Sequence, residues 1–196
     1  MQNDYEKFEL APEYAERING LDTIRLAIVG KDPFPMGARA IPFVKDTWAA
    51  LDDRSAGHHL FRSLLGMNVE QTYGTPQDAA HALLDGHLDG QRIVLLNASY
   101  SFLKGEKLSP QTHSALVSES LETNRPILAK TEYILLCGGA KRMMKWVMPL
   151  TDTAYAAPHP SLQSKNSLPA ERRWEWNYWW EVGRLREWLQ GPTKYY

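Results

Sequence analysis

Apolar positions in this chain gather into four short runs, each closed by a polar, loop-forming cluster. Ile24–Val29 leads into Gly30-Lys31-Asp32-Pro33-Phe34-Pro35, and Ile93–Leu96 leads into Asn97. Tyr133–Leu136 leads into Cys137-Gly138-Gly139, and Thr153–Ala157 into Pro158-His159-Pro160-Ser161. Runs of this length bounded by Gly, Pro and Asn predict buried strands. Between them the apolar period lengthens to that of a helix. Helices are predicted over Glu13–Ile18, over His58–Leu65 with Leu60, Phe61, Leu64 and Leu65 inward, and from Pro76 through Leu84. Ser109 followed by Pro110 reads as an N-cap and first helical residue, opening a helix to about Thr123. Lys141–Val147 follows the Gly-Gly turn, and Pro169 opens a last helix running to about Leu189. Strand and helix alternate, which predicts an α/β fold: one domain over 1–196, a three-layer sandwich around a central four-stranded parallel sheet.

In such sheets the ligand crevice lies at the carboxyl ends of the strands. An acid, an amide and an imidazole (Asp32, Asn97 and His159) are therefore expected to converge on one cleft. The last helix carries Trp174, Trp176, Trp179, Trp180 and Trp188. Read as one continuous helix, it puts Trp176, Trp180, Gly183 and Glu187 on one side and Trp179, Val182, Leu185, Arg186 and Leu189 on another. Indoles mostly supply core area, so burial against the sheet is the expectation. The alternative lays Trp174, with Arg172 and Arg173, on a nucleic acid.

Composition changes this picture little. Hydrophobic residues make up 43% and charged residues 23%, ordinary for a globular domain that needs no staples. The single Cys137 excludes an intramolecular disulfide and a zinc cluster of paired cysteines. Neither a basic-then-apolar leader nor an apolar stretch of membrane-spanning length is evident, so a cytoplasmic monomer without membrane association is expected. The net charge of −1 argues against a strongly basic nucleic-acid binder, but its distribution matters more. Lys31, Arg39, Lys45, Lys141, Arg142, Lys165, Arg172 and Arg173 all fall in or just after the strand-end clusters. If those loops share a face, it presents a local positive field to a phosphate backbone.

Taken singly the polar residues are ordinary. Asp-Pro after a strand is often a turn, Asn97 could cap its strand, His159 could simply be held between prolines, and Phe43 could be core. Taken in order they resemble the uracil-DNA glycosylase superfamily, nearest its family 1 type. Gly30-Lys31-Asp32-Pro33-Phe34, followed by Gly37 to Phe43, is similar to the water-activating loop and the phenylalanine that stacks on the base. Leu95-Leu96-Asn97 resembles the strand end carrying the base-reading asparagine. Leu135 through Ala140 resembles the next strand and glycine turn. Ala157-Pro158-His159-Pro160-Ser161-Leu162 resembles the segment of the catalytic histidine and the minor-groove wedge. The resemblance runs from about Ile24 to Arg173.

It implies catalysis by Asp32 and His159, and base contacts from Lys31, Phe34, Phe43 and Asn97. DNA contacts fall to Ser55, Gly138, Gly139, Ser161, Leu162, Gln163, Lys165 and Arg172, with Leu162 and Gln163 competing for the wedge. The implied partner is DNA, with a pyrimidine flipped out of the stack, and no metal or organic cofactor is called for. The residue types suit the chemistry. Breaking the bond between base and deoxyribose leaves positive charge on the sugar and negative charge on the base. An aspartate can orient water, and an imidazole can hydrogen-bond the departing base. An amide offers both donor and acceptor to a pyrimidine edge.

Several positions depart from the family pattern. Lys31 stands for the usual glutamine, Phe34 for a tyrosine that walls off the pyrimidine C5 position, and Pro35 for a histidine. Arg54-Ser55-Ala56-Gly57 lacks the expected proline, and the segment after His159 is one residue short. The substrate is therefore either uracil, in DNA repair, or a C5-modified pyrimidine such as a modified cytosine of phage DNA, in antiviral defence. The changes cluster on the pocket and favour the modified base. The alternative of another class is a catalytically silent DNA- or protein-binding relative. His58, His59, His81, His87 and His113 match no motif and are read as structural or surface residues.

Overall fold

The computed structural model describes residues 6–31, 41–102 and 109–191. In chain order, β1 (Glu6–Lys7) and α1 (Pro12–Asn19) precede β2 (Ile24–Gly30). Then come α2 (Ala56–Leu65), α3 (Val69–Thr72), α4 (Pro76–Leu84), β3 (Ile93–Asn97) and β4 (Ser101–Phe102). After these, α5 (Pro110–Leu128) leads to β5 (Thr131–Cys137), a 3-10 helix over Gly138–Met143, α6 (Met144–Val147) and β6 (Ala154–Ala157). The chain closes with α7 (Leu162–Ser167), a 3-10 turn over Ala170–Arg172, α8 (Arg173–Trp180) and α9 (Arg184–Gln190).

Four strands form one all-parallel sheet in the order β3-β2-β5-β6. The expected α/β fold with a four-stranded parallel sheet between helices is what the chain adopts. β2 and β3 are apolar on both faces because both faces are covered, the usual state of a parallel sheet. Register places Leu26, Ile28, Leu95, Leu135 and Tyr155 on one face. The Tyr133 and Tyr155 rings on that face meet Trp188 edge-on, and Tyr155 also packs on Trp179, so α8 and α9 cover it. Right-handed crossovers put α5, which joins β3 to β5, on the opposite face.

Local signals explain the helix starts. Thr75 and Asp78 form a reciprocal capping box ahead of α4. The Ser109 hydroxyl accepts from the Thr112 N–H ahead of Pro110. Three expectations need correction. α5 runs past Thr123 to Leu128, through Pro126, because buried Asn124, Ile127 and Leu128 continue its inner face. Lys141–Val147 is a 3-10 helix followed by a single α-turn rather than one α-helix.

The final helix is two helices, broken at 181–183, where Gly183 takes φ +77°. Buried Ser63 explains the break. Its hydroxyl donates to the Trp179 carbonyl at 2.6 Å and accepts from the Leu185 N–H at 2.9 Å, which folds α9 back along α2. The two-sided helical grouping that joined Trp176 to Glu187 therefore does not hold. Trp176, Trp179, Trp180 and Trp188 are buried as expected, while Trp174 is 65% exposed. The antiparallel pair of β1 with β4 is too short to show in the sequence pattern.

Candidate active site at the carboxyl edge of the sheet

The four strand ends are held together by glycines that let functional side chains approach the backbone. Gly30 ends β2 beside Asn97 of β3. A methyl group built on Gly30 would lie 3.0 Å from Asn97 Oδ1 and 3.0 Å from Phe43 Cζ. The amide and the ring therefore flank a space that only glycine leaves open. Just after β5, a methyl on Gly138, which has φ +54°, would lie 2.9 Å from His159 Cβ, and one on Gly139 would lie 2.7 Å from Lys31 Cδ. Asn97, Phe43, Lys31 and His159 thus form one arc across β3, β2, β5 and the loop after β6. Asp32 and Phe34 lie outside the described residues.

Asn97 is only 7% exposed, yet its side-chain amide has no hydrogen-bond partner among the described residues. Phe43 sits at φ +66°, a left-handed conformation uncommon for a bulky residue. Its carbonyl is held against the first turn of α2, where Gly57 comes so close that a methyl there would lie 2.1 Å from the Phe43 oxygen. Backbone strain of this kind tends to collect at functional sites.

His159 is half-buried, and its loop is pinned from below by indoles. Trp180 Nε1 donates to the Pro158 carbonyl at 2.8 Å and Trp176 Nε1 to the His159 carbonyl at 3.2 Å. His159 Nδ1 lies 3.1 Å from Ser161 Oγ, which also accepts the Ser164 N–H as the cap of α7. The Ser161 hydroxyl hydrogen remains available to Nδ1. With that bond made, the imidazole proton sits on Nε2.

The carbonyl of Lys31, which precedes Asp32, accepts from the Ser99 N–H at 3.1 Å and lies 3.2 Å from His113 Nε2. A carbonyl can only accept, so Nε2 carries the proton. Nδ1 is left facing Arg142 Nη1 at 3.5 Å. His113, fully buried, therefore braces the site loop and is not a surface residue.

The expected DNA contacts fall in two groups. Ser55 precedes α2 without capping it and donates to Asp52 Oδ1, whose carboxyl is held below its usual range chiefly by that bond. Leu162 is half-buried and Gln163 exposed at the start of α7, and Lys165 Nζ lies 4.6 Å from the Trp176 ring centre. Trp176 also meets His59 edge-on at 4.9 Å, and burial pushes that imidazole's pKa down. Arg172 makes two bonds to Glu175, at 2.6 and 2.9 Å, so its charge is engaged on the surface. Sequence reasoning missed Trp176 and Trp180 as supports, Gly57 as a clearance, and His113. Only the indoles carried a signal, and it pointed mainly to plain core.

No protein-family model matches the chain, and no curated protein matches it. Among solved structures it is similar to the wild-type UNG crystal structure from Nitratifractor salsuginis, at 17% identity and a TM-score of 0.41. The match covers 70% of this chain and 65% of that one, less than two thirds of the UNG chain. A likeness so distant does not bear on which residues act here. No helix among the described residues is long and apolar enough to cross a membrane.

Proposed function

We propose that this protein is a DNA glycosylase that hydrolyses the bond between a flipped-out pyrimidine and its deoxyribose, leaving an abasic site. The observation that supports the reading is the Asn97 amide beside the Phe43 ring over Gly30, at the carboxyl edge that also holds His159. A ring and an amide side by side, the amide bonded to none of the described residues, are what an extruded pyrimidine needs: a face to stack on and a donor–acceptor pair for its edge. His159, protonated on Nε2 through Ser161, donates to the base carbonyl as the base leaves with the bonding electrons. Water supplies the oxygen that joins the sugar. Asp32, directly after the braced Lys31 carbonyl, orients that water. Lys165 and its neighbours hold the phosphates.

The base is uracil or a pyrimidine substituted at C5. The first would serve DNA repair and the second defence against phage with modified DNA; the changes at Lys31, Phe34 and Pro35 favour the second. The test incubates the protein with oligonucleotides carrying uracil, thymine, hydroxymethylcytosine or glucosylated hydroxymethylcytosine, followed by alkaline cleavage of abasic sites. Strand breaks at a modified cytosine with few at uracil are expected. Breaks at uracil alone would return the substrate to uracil, and breaks with none of the four would overturn the glycosylase reading.

A further inference from the structure

β3 is an edge strand, and its open side is closed at Asn97 by a ring of side chains. Ala98 N–H donates to the Gly30 carbonyl at 2.8 Å, toward β2. Alternation along a strand then turns the N–H and C=O of Asn97 away from β2, where no further strand of the sheet pairs among the described residues. Asn124 of α5, fully buried, donates from Nδ2 to the Asn97 carbonyl at 2.8 Å. Tyr100 Oη lies 3.3 Å from Asn124 Oδ1 and 3.5 Å from the Asn97 N–H.

The Asn97 carbonyl can only accept, and that one fact orders the whole ring. Asn124 must present Nδ2 to it, so Oδ1 faces Tyr100. The phenol must then donate, which leaves its lone pair for the Asn97 N–H. Burial raises the Tyr100 pKa, so the phenol keeps its proton. Leu95, two residues earlier on the same edge, is capped the same way by the Tyr14 hydroxyl at 3.0 Å, but nothing at Leu95 faces the site.

We propose that Tyr100 and Asn124 are positioning residues for base selection: they fix the Asn97 backbone so that its open amide is aimed over Gly30. This rests on the reading of Asn97 as the base-contacting amide. Both side chains bond the Asn97 backbone, and the atoms nearest a methyl on Gly30 belong to Asn97 and Phe43, so each acts through Asn97. A fault of about 1 Å in such a group costs about 10²-fold in rate.

The experiment compares Tyr100→Phe, Asn124→Leu and Asn97→Ala, singly and combined, on the best substrate oligonucleotide. Thr131→Val serves as control, since Thr131 spends its hydroxyl on the Ile127 carbonyl at the far end of α5. Tyr100→Phe and Asn124→Leu should each slow base release about 10–100-fold with oligonucleotide affinity within about twofold. Added to Asn97→Ala they should cost nothing more, the sign of residues acting through a shared partner. Exchange of the Asn97 amide hydrogen should quicken at least about tenfold in both variants and stay at the wild-type rate in Thr131→Val. Effects that multiply fully with Asn97→Ala, or unchanged exchange at Asn97, would overturn the proposal. Should the wild type release no base, the glycosylase reading fails, and with it the claim of base selection, whatever exchange shows of the ring.

Discussion

The two edges of the sheet put their polar residues to different uses. At the amino edge, before β2, β3 and β5, lies a cavity of about 480 Å³ lined by Asp22, Arg25, Arg92, Lys130 and Glu132, among others. Three of its charged residues serve the fold, while Gln91 Oε1 on its wall is buried without a hydrogen-bond partner among the described residues. Arg25 pairs with Glu132, reaches the Leu189 carbonyl and lies over the Tyr133 ring, while Lys130 donates to the carbonyls of Ile18, Asn19 and Leu21. At the carboxyl edge Asn97 is buried with no partner for its side-chain amide among the described residues, and Phe43 holds a left-handed backbone. What sets this edge apart is that an amide, an aromatic ring and an imidazole meet over glycines that leave them room.

The sharpest way to break this contrast is to remove one residue from each edge. His159→Ala should slow base release by about 10²–10⁴-fold, the range for a positioned acid or electrostatic group. Asp32→Asn should fall in the same range, and DNA affinity should change far less than rate in both. Arg25→Ala should lower the melting temperature by a few degrees and leave the rate constant per folded molecule within about twofold. Single-turnover kinetics on the cleaved oligonucleotide, beside thermal melts, separate the two. Wild-type rates from His159→Ala would remove the imidazole from the chemistry, and a large rate loss from Arg25→Ala would erase the distinction between edges.

Glycines give the next contrast. Gly57→Ala drives a methyl into the Phe43 carbonyl, backbone against backbone, so neither side can yield cheaply. Overpacking of that kind costs about 3 kcal/mol, and the displaced Phe43 should take base stacking and rate with it. Gly90→Ala, beside the amino-edge cavity, meets nothing within 4 Å and has only its φ of +76° to lose. Strain alone costs about 1 kcal/mol, with no change in rate. Denaturant melts paired with kinetics would show both parts, and equal destabilisation by the two would deny Gly57 its role as a clearance.

Much of the sheet was legible because its central strands are almost wholly buried, and short, mainly apolar runs bounded by Gly, Pro and Asn admit few other readings. The strand ends were legible for the same reason, since any polar residue there must lie at the crevice. What stayed hidden depends on contacts far apart in sequence. The break between α8 and α9 follows from Ser63, 116 residues before its partner Trp179, and no local period reports it. The brace from His113 to Lys31 spans 82 residues and joins a helix read only from its Ser109 cap and Pro110. Phe43 was chosen by order along the chain, and its left-handed backbone becomes intelligible only once Gly57 is seen against it.

The smallest expected effect concerns which cations are open to DNA. Arg172 and Glu175 form an exposed pair, in which each holds the other charged: the Glu175 carboxyl lies below its usual range because of the arginine, and the guanidinium is pushed up by the glutamate. Such pairs are weak, since water screens them and two long side chains must be held still. A phosphate must nevertheless displace Glu175 to reach Arg172. Glu175→Gln should therefore tighten binding to the substrate oligonucleotide by about two- to fivefold at low salt, within the small worth of a surface pair. It should also steepen the slope of log K against log salt by about 0.9, one phosphate contact. Lys165→Ala should do the reverse, flattening the slope by about 0.9. Binding measured by fluorescence anisotropy across a salt series reads both. If Glu175→Gln changes neither affinity nor slope, Arg172 does not touch the backbone, and the phosphate contacts of this edge belong to Lys165 and the strand-end loops.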